Sequence, residues 1–188
     1  MSGAEKRALR AAVRGAFPGA EARDRESGAI CAHVLAWPVY RRARVVAGYV
    51  PLIREADITP ILRDALAAGK TLLLPRVEGE RAMSLRRVDS LDALAPGRWG
   101  LLEPPEEAVI VPAGAAELLL TPLEAVDPLG TRLGKGGGYY DALLEGASGV
   151  KLGVALSWQR VPRVPAEPWD KPLDALVTED GIQSFNRS

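Results

Sequence analysis

The sequence predicts an α/β fold with three layers, a mostly parallel sheet covered by helices on both faces, in a single domain spanning residues 1–188. Three observations carry that reading. Short apolar runs alternate with helix-period segments at 45–50, 58–68 and 71–74, the succession left by parallel strands joined through crossover helices. Apolar residues make up 47% of the 188, enough for a sizeable core. Charged residues, at 26%, stand at the ordinary globular level, which argues against disorder.

In chain order, a helix is predicted over 2–17, where Leu9, Val13 and Phe17 recur on one face and Pro18-Gly19 ends it. A second, over 20–37, carries Ile30, Val34 and Trp37 on one side and stops at Pro38. Val45-Val46-Ala47-Gly48-Tyr49-Val50, before Pro51, reads as a buried strand. Residues 58–68 are helical, with Gly69 at the C-terminal end. Thr71-Leu72-Leu73-Leu74 before Pro75 is the next strand, and 83–88 a further one whose alternation Arg86 and Arg87 break. Residues 91–105 are turn-rich. Glu117-Leu118-Leu119-Leu120-Thr121 is a strand leading into a glycine-rich segment, and 139–144 continue as a helix. Residues 150–156 and 175–178 are the last two strands, separated by a proline-rich surface loop at 161–172.

Charge and composition exclude several classes of function. Lys plus Arg and Asp plus Glu each number 24, so the chain lacks the broad basic field of a nucleic-acid binder. No uninterrupted apolar run approaches the ~18 residues of a spanning helix, and charge from Glu5 onward argues against a secretory signal. One cysteine, Cys31, forbids an internal disulfide and fits a reducing, cytoplasmic location. With a single histidine, His33, it also excludes multi-His and multi-Cys metal sites. Both lie among Ile30, Val34 and Leu35 and read as packing residues, a Cys–His dyad being the alternative.

The segment 127–141 holds five glycines, Arg132, Lys135, the pair Tyr139-Tyr140 and an aspartate at each end. Successive glycine N–H groups can line an anion-holding concavity, and adjacent cations deepen its positive potential. The P-loop spacing fails, because only three residues separate Gly130 from Gly134-Lys135 and Gly136 stands at the Ser/Thr position. The dinucleotide fingerprint fails at Tyr139. A phosphate cradle is the expectation; a ligand-free turn is the alternative.

Arg132-Leu133-Gly134-Lys135-Gly136-Gly137-Gly138-Tyr139-Tyr140-Asp141, with Asp127 and Gly130 upstream, resembles the signature of the 5-formyltetrahydrofolate cyclo-ligase family, also called methenyltetrahydrofolate synthetase. Lys6-Arg7-Ala8-Leu9-Arg10 resembles that family's ATP-contacting first helix, and Tyr49-Val50-Pro51 with Glu55 its folate-side strand and loop. Trp99-Gly100-Leu101-Leu102-Glu103-Pro104 resembles its mid-chain segment, and Trp169-Asp170 through Asp180 its C-terminal one. Glu124, Val126 and Ala142 depart from the pattern; the first two are expected to loosen the approach to Asp127.

The resemblance implies ATP-dependent cyclisation of 5-formyltetrahydrofolate to 5,10-methenyltetrahydrofolate, through phosphorylation of the formyl oxygen and attack by the position-10 nitrogen. It implies that Arg132 and Lys135 are catalytic. ATP would be held by Lys6, Arg10, Arg132, Leu133, Gly134, Lys135, Gly136, Gly137, Gly138, Tyr139 and Tyr140. Folate would meet Val50, Glu55, Trp99, Tyr139 and Tyr140, and Mg²⁺ would be bound by Asp141 and Asp170. Lys6 and Arg10 share a helix face that Arg14 continues. A carboxylate beside a phosphate cradle repels its ligand unless a cation intervenes, which suits a metal at Asp141. The partner expected is a small molecule, with neither nucleic acid nor membrane, acting on a monomer. A non-catalytic nucleotide-binding module is the main alternative; an isomerase or coenzyme A transferase, consuming no ATP, is another.

Overall fold

The computed structural model describes residues 2–167 and 170–185, apart from the side chains of Ser2 and Trp99. Its helices are α1 (Ser2–Gly15), α2 (Ala20–Ala36), α3 (Pro38–Arg42), α4 (Thr59–Ala67) and α5 (Tyr139–Glu145). Its strands are β1 (Val45–Ala47), β2 (Thr71–Gly79), β3 (Ala82–Val88), β4 (Ala95–Pro96), β5 (Leu102–Glu103) and β6 (Ile110–Val111). They continue with β7 (Leu118–Pro122), β8 (Ala125–Val126), β9 (Arg132–Leu133), β10 (Val150–Val154), β11 (Ala175–Thr178) and β12 (Gly181–Ser184).

The main sheet runs β12-β11-β10-β7-β1-β2-β3-β6. Pairings from β11 across to β2 are all parallel; β12, β3 and β6 extend the two edges antiparallel. The order reverses at β1, with β2 added on one side and β7, β10 and β11 on the other. The C-terminal ends of β1 and β7 therefore border a topological switch point, where open α/β sheets leave a crevice for ligands.

Side chains alternate between the faces of these strands. Val46, Leu72, Leu74, Leu118, Leu120, Leu152 and Val154 pack with Ile30 and Val34 of α2, Tyr40 of α3 and Ile61 and Leu62 of α4. Ala47, Leu73, Leu85 and Leu119 pack with Leu143 and Leu144 of α5. Burial on both faces is the physical reason these strands read as continuous apolar runs. The first helix stays off the sheet: Leu9 and Val13 rest on Ala125, Leu133 and Val164.

Several local expectations are corrected. Pro38 ends α2, as predicted, but it also opens α3 from the first helical position, where its fixed φ and missing N–H are no handicap. β2 does not stop at Pro75 but runs through it, opposite Leu85. Leu73 O faces β1, where Gly48 N donates to it at 2.9 Å. Pro75, two residues on, turns its nitrogen toward that side beyond the last β1 partner, so no ladder bond is lost. β1 itself ends at Ala47, earlier than the apolar run. β12 and β6 were not visible as strands because an edge strand with an exposed face carries no buried run.

Gly153 shows how tightly β10 is packed. A Cβ there would lie 2.4 Å from Leu173 Cδ1 and 3.3 Å from Leu123 Cδ2 and Leu176 Cδ1. Gly153→Ala is expected to destabilise the fold by about 1–3 kcal/mol through overpacking. Urea titration should show a lower midpoint with an unchanged slope.

Candidate active site

After β7 the chain does not enter the glycine segment directly. It first makes the hairpin β8–β9, in which Ala125 faces Leu133 and Val126 faces Arg132. Asp127 organises the connection: its buried Oδ1 accepts from Leu129 N and Thr131 N, each at 3.0 Å, and its Oδ2 accepts from Val164 N at 3.1 Å. A short carboxylate that bonds the backbone two residues ahead is a turn former. This turn sets where Arg132 emerges at the start of β9.

Residues 134–138 then cross to α5. Gly136 has φ 104° and Gly138 φ 73°, a region that side chains strain to enter, and Gly138 caps α5. The positions that side chains would fill are taken by arginines. Arg132 Nη1 lies 2.8 Å from where a Gly134 Cβ would be, and the Arg10 guanidinium carbon 3.3 Å from that of Gly136. Arg10 Nε also donates to Gly134 O at 2.7 Å, so α1 holds the loop by its backbone.

Lys135 reaches the other side of the switch point, where its Nζ lies 2.6 Å from Glu55 Oε1. Glu55 is buried and its Oε2 accepts from Leu52 N at 2.9 Å, which fixes it in the loop after β1. Arg132 Nη2 meets Asp141 Oδ1 at 2.5 Å, and its guanidinium carbon stands 5.8 Å from the Tyr140 ring centre. Burial, with Glu55 adding to it, pushes the Tyr140 phenol well above the usual tyrosine range. Arg132 Nε is buried and has no hydrogen-bond partner among the described residues. An unpaired donor on a buried cation is costly to leave unmade, which favours an anionic ligand there.

The remaining predicted residues divide into those near this loop and those held elsewhere. Lys6 donates to Asp170 Oδ2 at 2.7 Å and to Glu167 Oε2 at 2.9 Å. Burial alone would lower its pKa, but these two hydrogen bonds outweigh that and hold it above the ordinary lysine range. Asp141 and Asp170 are thus paired to different cations. Each keeps one oxygen, Asp141 Oδ2 and Asp170 Oδ1, without a hydrogen bond among the described residues. No group of three or more His, Cys, Asp or Glu suited to a metal occurs among those residues. One or two carboxylates completed by phosphate oxygens and water suffice for Mg²⁺, so a free oxygen at either residue suits that ion and not a dedicated protein cage.

Leu133 is buried against Val13 and shapes the loop from the core side. Val50 packs at the edge of the main core. The side chain of Trp99, and Trp169 altogether, lie outside the described residues. Tyr139 diverges from Tyr140 and lines a cavity with Arg81 and Arg98. Sequence reasoning missed both arginines. Arg98 adjoins Trp99 and was within reach of it, whereas Arg81 required knowing that β2 and β3 form a hairpin.

The departures from the family pattern have physical accounts. Glu124 accepts from Arg14 Nε at 3.1 Å and Nη2 at 2.9 Å, tying the end of α1 to the strand-to-hairpin turn. Val126 is buried in the cluster against which Phe185 packs, and Ala142 is exposed on α5. Beside them, both oxygens of Asp127 are engaged by backbone N–H groups. Cys31 donates to Asp57 O at 3.3 Å, while His33 Nε2 lies 3.0 Å from Glu179 O, so the two form no dyad. Burial, then the Asp57 charge, push the Cys31 thiol up to about 11.

The sheet, with the glycine loop and its flanking cations beside the switch point, defines an α/β protein with a crevice at the ends of its central strands. The model of the 5-formyltetrahydrofolate cyclo-ligase family matches residues 3–179, and the chain belongs to that family of ligases. It is 32% identical over 155 residues to the 5-formyltetrahydrofolate cyclo-ligase of Escherichia coli K12, covering 79% of this chain and 85% of that one. To the probable 5-formyltetrahydrofolate cyclo-ligase of Schizosaccharomyces pombe it is 30% identical over 176 residues, 85% and 86% of the two chains. Among structures, the 5,10-methenyltetrahydrofolate synthetase of Aquifex aeolicus superposes with a TM-score of 0.87 at 37% identity, over 97% of this chain and 94% of that one. The synthetase of Mycoplasma pneumoniae, at 20% identity and a TM-score of 0.75 over 93% and 98%, shares the fold.

Two outcomes test this description. Asp127→Ala removes the acceptor of three N–H groups, that of Val164 buried, and is expected to lower stability by about 2–3 kcal/mol, measured by denaturant titration. The raised thiol pKa keeps Cys31 neutral until strongly alkaline pH, with a thiolate fraction on the order of 10⁻³ at pH 8. Alkylation of the native protein at that pH should be at least ~100-fold slower than of the urea-unfolded chain.

Proposed function

We propose that the protein closes the imidazoline ring of 5-formyltetrahydrofolate at the expense of ATP, giving 5,10-methenyltetrahydrofolate, ADP and phosphate. Family membership and the names of its relatives support the reaction. The observation that carries the reading is the 2.6 Å contact between Lys135 and Glu55. It sets a cation of the glycine loop against the buried carboxylate after β1, so a phosphoryl group on one side would meet a heterocycle held on the other.

In this mechanism the backbone N–H groups of 134–138 receive the phosphates of ATP, with Arg10 and Arg132 supplying charge along the loop. Glu55 accepts hydrogen bonds from the amino and ring N–H groups of the pterin, and Tyr140 offers it a flat face. The formyl oxygen takes the terminal phosphoryl as the bond to ADP breaks. The position-10 nitrogen then attacks the formyl carbon, loses its proton, and phosphate departs with the oxygen. Lys135 and Arg132 stabilise charge on the phosphoryl in transit, Arg132 through a planar fork whose Nε is unclaimed. Asp141 and Asp170 would hold Mg²⁺, which when bound offsets phosphate charge. Catalysis is positioning and charge stabilisation, with no protein nucleophile. One buried, free cysteine supports a cytoplasmic setting, and balanced charge supports a small-molecule partner.

Purified protein given Mg-ATP and 5-formyltetrahydrofolate should show ATP-dependent growth of methenyl-folate absorbance. Binding of both without conversion would support the non-catalytic module instead. Lys135→Ala and Asp141→Ala should each lower kcat/KM about 10²–10³-fold, the effect of removing one preorganised charge contact, with thermal unfolding confirming a folded protein. Near wild-type turnover in either variant would remove that residue from its role.

A further inference from the structure

Beside the glycine loop lies a cavity of about 370 Å³ lined by Glu80, Arg81, Arg98, Gly136, Gly137 and Tyr139. Arg81 sits in the turn between β2 and β3, where Gly79 pairs with Ala82 across the hairpin. It is the one non-glycine residue with positive φ, 56°, among the described residues. Glycine is the natural occupant of such a position, and an arginine there is strained. The strained residue turns its side chain toward the loop: Arg81 Cδ lies 3.9 Å from where a Cβ on Gly138 would stand. Strain of this kind persists where surrounding structure or function holds it. Arg81 has no ion-pair partner among the described residues.

The ligand chemistry follows from the charges. Two arginines and one glutamate line the cavity, a net positive wall that attracts an anion. The phosphates of the proposed reaction already have Arg10, Arg132 and Lys135 beside the loop. The other anionic groups in that reaction are the carboxylates of the folate's glutamyl tail, at the opposite end of the molecule from the pterin. Tyr140 and Tyr139 face two different regions, the first near Arg132 and Glu55, the second lining the cavity with Arg81 and Arg98. Resting on the function proposed above, we propose that Arg81 and Arg98 form a recognition site for the tail carboxylates, making Arg81 a substrate-specificity residue supplied by the β2–β3 hairpin.

The test is Arg81→Gly, which removes the guanidinium while relieving the backbone. Its Tm should rise above wild type, so lost recognition cannot be ascribed to misfolding. KM is then compared for 5-formyltetrahydrofolate and for 5-formyltetrahydropteroate, which lacks the glutamyl group; calorimetric titration reads the same preference without turnover. Wild type should favour the tail-bearing substrate by about tenfold, the equivalent of one charge-assisted contact, and in the variant the ratio should fall toward one. An unchanged ratio would overturn the proposal. So would a rise in KM for ATP alone, which would give the cavity to the nucleotide. Absence of ATP-dependent product from wild type with both substrates would overturn the reaction itself, and this inference with it.

Discussion

A loop made mostly of glycine has no side chains with which to hold its own shape, and ordering it costs more backbone entropy than ordering any other sequence of that length. Much of the surrounding structure answers that constraint. Asp127 secures the turn upstream, Arg10 grips the carbonyl of Gly134, Arg132 fills the space beside Gly134, and Lys135 is moored to Glu55. The contacts come from α1, β9 and the segment after β1, elements far apart in the chain. Along the loop the backbone is thus set among three cations, Arg10, Arg132 and Lys135.

The sheet decides where that surface lies. Adding β2 to one side of β1 and β7 to the other leaves the ends of two central strands diverging, and the segments leaving them frame the crevice. Glu55 arrives there because the chain after β1 must turn toward α4. The glycine loop arrives because the β8–β9 hairpin carries the chain off the sheet before returning it to α5. Strands buried on both faces supply the rigidity, and the loops at one end carry the chemistry.

The core was legible because each central strand is an unbroken apolar run and each packed helix has a clear buried face; Ile30 and Val34 of α2, or Leu72 and Leu74 of β2, could be placed by spacing alone. Edges were not. β12 and β6 expose one face, and β2 continues past a proline whose tolerance depends on where its neighbour strand ends. At the site, the glycine loop and its flanking Arg132 and Lys135 were visible as a local run of sequence. The partners were not, since the pairing of Lys135 with Glu55, of Lys6 with Asp170 and of Arg14 with Glu124 is long-range. Arg81 was the least visible, because its importance lies in a backbone angle that residue type argues against.

The first helix joins the body in an unusual balance. Two apolar residues, Leu9 and Val13, belong to a small satellite cluster; among the described residues its polar attachments are Lys6 on Asp170 and Glu167, Arg10 on a carbonyl, and Arg14 on Glu124. Added electrolyte weakens exposed ion contacts well before it disturbs aliphatic packing. Of the three, Arg14 with Glu124 is the most open to solvent. Ionic strength thus acts on this molecule from its amino-terminal end, slackening α1 by its last turn while the eight-stranded sheet stays whole.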